Sequence, residues 1–400
     1  MLTKGAIGNL INRYNAVLKK CRILNTFGSL ALAAALAGGM TSPALAAGSI
    51  VNTDTTITED TTITADTTTE NSSRYAGIIA DTGDTTVTVQ DGATLTLTNN
   101  ADSSASRFYG AATQTGSSLT INGNVSASLN GADSQEVRVF RANGGDMIIN
   151  GDVHSVAKGT SGTVISAEAW FGADMTFTGG ETYLEAVSTG GRVIAVQNFH
   201  QSSTMSTMNF LADKTTILAQ NSADSENYTQ GVLAYQSETN FTGDTDIIVR
   251  GGLAETYGVD VQCDPGNAYD TVVNFSGKHT LVDATAEDVV YAVRPSGVPG
   301  SINFTGETVT LRATSSIGEA AGIRSQYGAH LNSQAAMDIT AKSASGSAYC
   351  IILTNYADYA GNATFDNTLS INASSEEGNA IGIYNSTQDA TKDIENNEHH

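Results

Sequence analysis

Cysteine is nearly absent from this sequence, which contains three in 400 residues. Cys21 lies in the N-terminal leader described below, so Cys263 and Cys350 are the two in the rest of the chain. They are 87 residues apart, which is nearly three repeats of the ~31-residue unit found in this sequence. If each repeat adds one strand to a stack, the two cysteines are about 14 Å apart. Because a disulfide needs Cα atoms within about 7 Å, we expect two buried free thiols and no disulfide scaffold.

Helical periodicity is scarce as well. Almost no segment places apolar residues three and four positions apart, which is the pattern of an amphipathic helix. Gly, Asn, Asp, Ser and Thr separate short apolar runs instead, and these residues favour turns. The sequence, with its 40 glycines, therefore predicts an all-β protein of short strands and tight turns.

Basic residues are few outside the first 46 positions. The chain has 19 lysines and arginines against 41 acidic residues, and five of the 19 lie in the leader, which leaves a net charge near −27 for the remainder. Nucleic acids and anionic lipids bind clustered basic side chains, so no nucleic-acid partner is expected. The acidic residues are scattered through turns, which favours a role in solubility over cation binding.

The first 46 residues have the features of a secretory signal peptide. Their charged residues are Lys4, Arg13, Lys19, Lys20 and Arg22. Residues 30–36 form an uninterrupted run of Leu and Ala, and Ala44 and Ala46 give the small-x-small pattern of a signal peptidase site. The apolar core at 27–40 is shorter than the roughly 20 residues that a membrane span needs. We predict cleavage after Ala46 and secretion of the remainder.

What the sequence has in abundance is a motif of one apolar residue, one polar residue and glycine. Clear copies begin at Ile121, Ile149, Phe177, Phe241, Phe275 and Phe304, and looser copies begin at Phe210, Leu331 and Phe365. Val89 extends the series towards the N-terminus. Successive copies start about 31 residues apart, and a residue type that returns at one phase indicates one structural unit built repeatedly.

Each unit contains two further apolar runs. Small and branched residues, as at 290–293, precede the motif, and an alternating run, as at 308–311, follows it. Three strands in each unit leave no room for a helix, and one such coil buries its apolar side chains only when other coils cover it. The sequence predicts a right-handed parallel β-helix of about ten coils of ~31 residues. The phenylalanines expected to stack inside it are Phe177, Phe210, Phe241, Phe275, Phe304 and Phe365.

The predicted solenoid occupies residues 75–384. Before it, residues 47–74 repeat Asp-Thr-Thr-Ile-Thr, and this segment is expected to be either a cap over the first strand edge or a disordered spacer. After it, residues 385–400 form a polar, acidic tail that ends in two histidines.

Motifs that would carry chemistry are few. None of the six histidines is spaced for a metal site, and no Gly-x-Ser-x-Gly stretch marks a serine nucleophile. His154 and His279 each follow a copy of the glycine motif and are expected in turns. The calcium-binding nonapeptide of secreted β-rolls is absent too. We therefore assign no catalytic residue, no metal ligand and no cofactor, and we expect the chain not to be an enzyme.

A β-helical carbohydrate-active enzyme, either a polysaccharide lyase or a glycoside hydrolase, is the alternative. Its candidate residues are Asp260, Asp264, Asp270, Arg250 and Arg294. Two carboxylates can act as an acid and a base. Alternate strand positions point outward, however, so isolated Asp and Arg side chains in this region are expected to face solvent. The aromatic pairs at 170–171 and 356–359 are candidates for sugar or partner contacts, with packing as the expected role.

A basic signal peptide, a Thr/Asp-rich start, Gly/Asn/Thr-rich coils and very few cysteines resemble the passenger region of a type V autotransporter. The resemblance implies a β-helix that crosses the inner membrane and is displayed at the cell surface by a C-terminal outer-membrane barrel. The C-terminal part of this sequence has no series of alternating strands with aromatic girdles. Either the translocator barrel is expected in sequence outside it, or the chain uses another export partner. The implied function is an adhesive or structural rod with host glycans or surface proteins as partners.

Secreted protein is expected to begin at Ala47, because Ala44 and Ala46 form the cleavage pattern. Intact-mass measurement of protein recovered outside the inner membrane checks this. A mass that retains residues 1–46 would show that the leader is not a cleaved signal peptide.

Overall fold

The structure, a computed structural model, describes residues 45–47, 49–68, 74–101, 105–200, 204–264, 269–356 and 359–388. These residues form strands and turns, and none of them lies in an α-helix. Within the same ranges no helix is long and apolar enough to cross a bilayer. Residues 1–44 of the predicted signal peptide and 389–400 of the predicted tail lie outside the described residues.

The strands form three sheets, which we name I, II and III. Sheet I contains the parallel strands Ile50–Val51, Arg74–Ala80, Arg107–Thr113, Glu136–Asn143, Val164–Trp170, Val193–Phe199, Thr229–Tyr235, Thr256–Gln262, Val290–Ser296, Ala320–Gln326, Ala348–Tyr356 and Ala380–Gln388, with Thr67–Thr68 and Tyr359–Ala360 added antiparallel. Sheet II contains Thr55–Ile57, Asp84–Val89, Ser118–Asn122, Asp146–Asn150, Asp174–Phe177, Ser206–Phe210, Ser237–Phe241, Thr271–Phe275, Gly300–Phe304, His330–Ser333 and Asn362–Phe365. Sheet III contains Leu45–Ala47, Thr61–Ala65, Leu95–Asn99, Val125–Asn130, Val153–Gly159, Glu181–Ser188, Lys214–Gln220, Asp244–Arg250, His279–Ala286, Thr308–Ser315, Ala336–Ser343 and Leu369–Ser375.

The chain visits sheets I, II and III in turn and then returns to sheet I one strand further along. Each circuit is one coil, and the eleven strands of sheet II mark eleven coils. The prediction of an all-β parallel solenoid is confirmed. The Thr/Asp-rich segment supplies the first coil through Ile50–Val51, Thr55–Ile57 and Thr61–Ala65, so the count exceeds the predicted ten by one. At the strand spacing of a β-sheet, eleven coils extend about 50 Å along the axis.

Sheet II contains the predicted phenylalanine ladder. Phe177, Phe210, Phe241, Phe275 and Phe304 lie in register in successive coils, and each is at most 1% exposed. Neighbouring ring centroids are 5.1, 4.6, 4.9 and 5.0 Å apart. The near-parallel rings are therefore separated by the strand spacing itself, and Phe210, Phe241 and Phe275 are each covered by the rings of the coils on either side.

Two ends of the ladder differ from the sequence prediction. Ser333, not Leu331, is the register partner of Phe304 and of Phe365, so Phe365 is separated from the stack and only partly buried. At the other end Val87, not Val89, is the partner of Ile121. Both errors are shifts of two residues, which leave the inward-facing set unchanged, so a period-2 pattern cannot detect them.

The glycine of the motif is explained by the close approach of successive turns. At Gly277 a Cβ atom would clash with the carbonyl oxygen of Gly243, and at Gly306 it would clash with that of Gly277. The turns therefore stack backbone on backbone, which excludes any residue with a side chain. This is why glycine returns with the same period as phenylalanine.

A second ladder, of asparagines, lies on the outer face of sheet II. The amide nitrogens of Asn240, Asn274, Asn303 and Asn332 each donate to the amide oxygen of the asparagine one coil earlier, at 3.0, 2.8, 2.9 and 2.9 Å. The first acceptor is Asn209. Each asparagine precedes a residue of the phenylalanine column, so the two ladders run along opposite faces of the same strands.

Cys263 and Cys350, the two cysteines among the described residues, are free and buried, as predicted. Burial raises the pKa of the Cys263 and Cys350 thiols. A raised pKa keeps a thiol protonated at neutral pH and therefore poorly reactive.

Replacing Phe275 with Asp is expected to lower the stability of the solenoid by several kcal/mol. The change removes a fully buried ring and places an unpaired carboxylate between Phe241 and Phe304, and truncating a buried aromatic alone costs about 3–5 kcal/mol. Chemical denaturation followed by circular dichroism measures the effect. Phe171→Asp is the control, because Phe171 is 41% exposed; equal denaturation midpoints for the two variants would contradict the internal ladder.

The two thiols are expected to resist alkylation in the native protein and to react fully in denaturant. Mass spectrometry after each treatment counts the labelled thiols. Two labels acquired under native conditions would contradict burial, and none acquired in denaturant without reductant would indicate a disulfide.

Candidate binding face on sheet I

The outer face of sheet I is shaped by a bend within each strand. In Val290–Ser296, the consecutive residues Ala292 and Val293 both belong to the interior core, whereas Tyr291 and Arg294 lie on the opposite face. Strict alternation would have placed Ala292 and Val293 on opposite faces. Because the chain bends between two inward residues, the outward side chains on either side of the bend converge.

The same bend recurs along the sheet, so these outward side chains form two columns. Strand register aligns Tyr109, Arg138, Gln230, Tyr257, Tyr291 and Tyr349 in one column, and Arg141, Glu168, Asp260, Arg294, Arg324 and Tyr384 in the other. Seven of the 14 basic residues that follow residue 46 lie on this face: Arg74, Arg107, Arg138, Arg141, Arg192, Arg294 and Arg324. An otherwise acidic chain therefore concentrates half of its cations on one sheet.

One arrangement, which we call the Tyr–Arg unit, occurs three times on this face. It consists of a tyrosine in the first column and an arginine one coil later in the second. The pairs are Tyr109 with Arg141, Tyr257 with Arg294, and Tyr291 with Arg324. In each pair the guanidinium carbon lies over the ring, 5.2, 4.1 and 5.0 Å from its centroid, and an Nη1 nitrogen donates to the tyrosine hydroxyl.

Asp260 anchors the central Tyr–Arg unit. Its side chain is fully buried, and its two oxygens accept from Nε and Nη2 of Arg294 at 2.9 and 3.0 Å. The amides of Gln230 and Gln262 also donate to it, both at 2.7 Å. Burial alone would lower the pKa of Arg294, but the neighbouring Asp260 carboxylate raises it above its ordinary value. The two side chains thus form a bidentate ion pair, and the carboxylate accepts two further hydrogen bonds.

Glu168 holds a second cluster nearer the N-terminus. Its carboxylate is fully buried and lies 2.9 Å from Nε of Arg141 and 3.3 Å from Nε of Arg138. Glu136 bridges Arg138 and Arg107 at 3.1 and 2.5 Å. Three arginines thus share two carboxylates, which ties three successive coils together.

A cavity of ≈ 200 Å³, which we call the Tyr257 cavity, opens beside the Asp260 pair. Gln230, Tyr257 and Asp260 form its floor and are at most 2% exposed. Glu255, Gln262 and Arg294 form its walls, and Arg192 and Tyr228 stand exposed at its rim. Tyr257 donates to Glu255, and burial raises the pKa of its hydroxyl, which therefore stays protonated.

A smaller cavity of ≈ 130 Å³ lies further along the same face. Its lining residues are Glu319, Arg324, Tyr349, Ile352, Thr354, Tyr384 and Ser386. It repeats the combination of two tyrosines, one arginine and one glutamate. The strands that carry the two cavities are three coils apart, or about 14 Å along the axis.

The structure unites only part of the predicted enzyme site. Asp260 meets Arg294, and the expectation that both face solvent is wrong, since Asp260 is fully buried. Arg250 lies in sheet III, where it pairs with Asp283 at 2.9 Å. Asp264 accepts from the hydroxyl of Tyr235, and with partial burial this contact raises the tyrosine pKa to about 12. Asp270 is exposed in a loop.

Other singled-out residues also have structural surroundings. Trp170 lies 5.0 Å from Phe199, which in turn stacks on Tyr235, so it belongs to a packed aromatic row. Phe171 and Tyr359 are exposed. The prediction that both histidines lie in turns is wrong: His154 lies in Val153–Gly159 and His279 begins His279–Ala286.

The sequence signal for this face was present but weak. Tyr257, Tyr291 and Arg294 stand in the apolar runs that precede the phenylalanine motif, where an outward side chain is expected only at alternate positions. Within the described ranges, no group of three His, Cys, Asp or Glu side chains is placed to hold a metal ion. No family model, curated protein or solved structure matches this chain.

Replacing Arg294 with Met is expected to destabilise the protein by about 3–5 kcal/mol, because it leaves a buried carboxylate without its counter-ion. Arg250→Met removes a similar Arg–Asp pair whose side chains are 39% and 24% exposed, and it should cost at most about 1 kcal/mol. Denaturant titration of both variants measures the difference. Equal losses of stability would show that Asp260 is reached by water in solution.

Proposed function

We propose that this chain is an extracellular binding rod of the autotransporter-passenger type, and that the outer face of sheet I is its binding face. The observation that carries this proposal is the recurrence of the Tyr–Arg unit at three places on that face. Tyrosine and arginine are the side chains most often responsible for affinity at binding surfaces. A solenoid presents them at multiples of the coil spacing, so several weak contacts add along one extended ligand.

The state of the carboxylates favours binding over catalysis. Glycoside hydrolysis needs one carboxylic acid that donates a proton and a second carboxylate that attacks or activates water. Asp260 accepts from three side chains, and Glu168 is paired with two arginines. Because side chains of the protein already contact their oxygens, neither carboxylate is free to attack a ligand or to activate a water molecule. We therefore propose that the rod binds its ligand without transforming it.

A carbohydrate-active enzyme is the second candidate, and the Tyr257 cavity is the observation that favours it. Two carboxylates, Glu255 and Asp260, line this one cavity together with Arg294. Glu255 is hydrogen-bonded by Tyr257 and is only partly buried. An acid and a base in one cavity is the minimum that such chemistry requires.

We place the protein outside the inner membrane, at the cell surface, on the strength of the leader sequence. A translocator barrel encoded outside this sequence would display it, and host glycans or host surface proteins are the proposed partners. The net charge near −27 of residues 47–400 suits a soluble exposed surface.

Binding and catalysis are separated by one experiment on the purified chain from Ala47 onward. Immobilised glycans and host cell-surface proteins are expected to retain it with modest affinity, while polysaccharide chain length, measured by viscosity and reducing ends, stays constant. Failure to bind either class of partner would contradict the proposal. If the protein cuts polysaccharide, and Asp260→Asn abolishes the cutting without changing the melting temperature, the chain is a carbohydrate-active enzyme and the binding proposal is wrong.

A further inference from the structure

The Tyr257 cavity has a chemical composition that restricts its ligand. It is lined by two arginines, two carboxylates, two glutamines and two tyrosines. The formal charges of Arg192 and Arg294 cancel those of Glu255 and Asp260. These side chains include both hydrogen-bond donors and hydrogen-bond acceptors, and two aromatic rings complete the surface.

Charged and apolar ligands fit this lining poorly. An anion would approach Glu255 and Asp260 in a chain with an acidic net charge, and a cation would approach Arg192 and Arg294. An apolar ligand would cover the accessible side chains of Arg192 and Glu255 without offering them hydrogen bonds, at a cost of about 1–3 kcal/mol for each group. The lining is matched by an uncharged molecule with several hydroxyl groups, because a hydroxyl both donates and accepts.

The tyrosines add a second requirement. Tyr228 is 49% exposed at the rim, and its ring lies 6.4 Å from that of Tyr257 on the floor, tilted by 38°. Aromatic faces bind ligand surfaces that carry C–H groups. A sugar ring offers such a surface on one side and hydroxyl groups at its edge, and a cavity of ≈ 200 Å³ has room for about one ring.

We propose that the Tyr257 cavity is a subsite for one sugar unit of an uncharged glycan, an inference that rests on the proposed binding function. Arg192 and Glu255 bind hydroxyl groups at the edge of the ring, and Tyr228 packs on its face. Asp260 positions Arg294 and Gln230 and is itself saturated by them and by Gln262. The smaller cavity, about 14 Å along the axis, receives a later unit of the same chain, so the glycan runs along the solenoid.

Calorimetric titration of the purified chain with defined oligosaccharides tests this inference. The probes are neutral hexose and N-acetylhexosamine oligomers, from dimer to hexamer, and acidic oligomers that carry uronate or sulfate groups. We expect binding of a neutral series with affinity that rises with length, since a longer chain reaches both cavities. Tyr228→Ala should weaken that binding roughly tenfold or more.

Tyr327→Ala is the matched control, because Tyr327 is 38% exposed, lies in the turn after Ala320–Gln326 and is outside both cavities. It should leave the affinity unchanged, and the melting temperatures of both variants should equal that of the parent. Glu255→Gln keeps the shape of the wall and removes one charge, so it should weaken neutral glycans and relieve the exclusion of acidic ones.

The outcomes distinguish a failure of the sugar subsite from a failure of the proposed binding function. Preference for acidic oligomers, or unchanged affinity in Tyr228→Ala, overturns the subsite while leaving a binding rod in place. Retention of host proteins alone, with no oligosaccharide bound, also overturns the subsite only. Absence of all binding overturns the proposed function as well.

Discussion

Stacking of like side chains in successive coils is the interaction on which this fold depends. A single coil has no enclosed interior, so Phe241 is buried only because Phe210 and Phe275 cover it. The strand spacing of about 4.8 Å lies within the range of centroid separations that stacked aromatic rings prefer, which lets one residue type repeat without strain. Glycine at the turns is the second half of the same constraint, because the backbones of Gly243 and Gly277 are too close for a Cβ.

In sheet I, the stacking of successive coils aligns polar side chains on the outer face. Its strands bend between two inward residues, and the bend brings polar side chains together on the outer face. Charged groups such as Asp260 are then removed from water, which is unfavourable unless partners replace the lost hydration. Arg294, Gln230 and Gln262 provide that replacement. The ion-pair network and the candidate binding face are therefore formed by the same side chains, with the buried floor holding the exposed rim residues in place.

Prediction from the sequence succeeded where one residue type marks one position. Phenylalanine and glycine return together, so the class of fold and the interior of sheet II could be derived. The strand register at Leu331 and Val89 could not be derived, because a shift of two residues keeps the same face of the strand inward. The outer face of sheet I was missed for another reason. Its functional side chains are of four types, Tyr, Arg, Glu and Asp, and they lie in different coils. The bend also breaks the alternation of inward and outward residues, which is the pattern from which the direction of a strand side chain is predicted.

The asparagine ladder has a consequence for how this protein can be produced. Asn240, Asn274 and Asn303 each begin an Asn-x-Ser/Thr triplet, which is the acceptor sequence for N-linked glycosylation in secretory pathways that carry out that modification. The sugar would attach to the same amide nitrogen that donates to the preceding coil. In a eukaryotic secretory host, oligosaccharyl transfer would therefore compete with coil stacking for these nitrogens. Production in cells that do not glycosylate asparagine keeps the ladder intact.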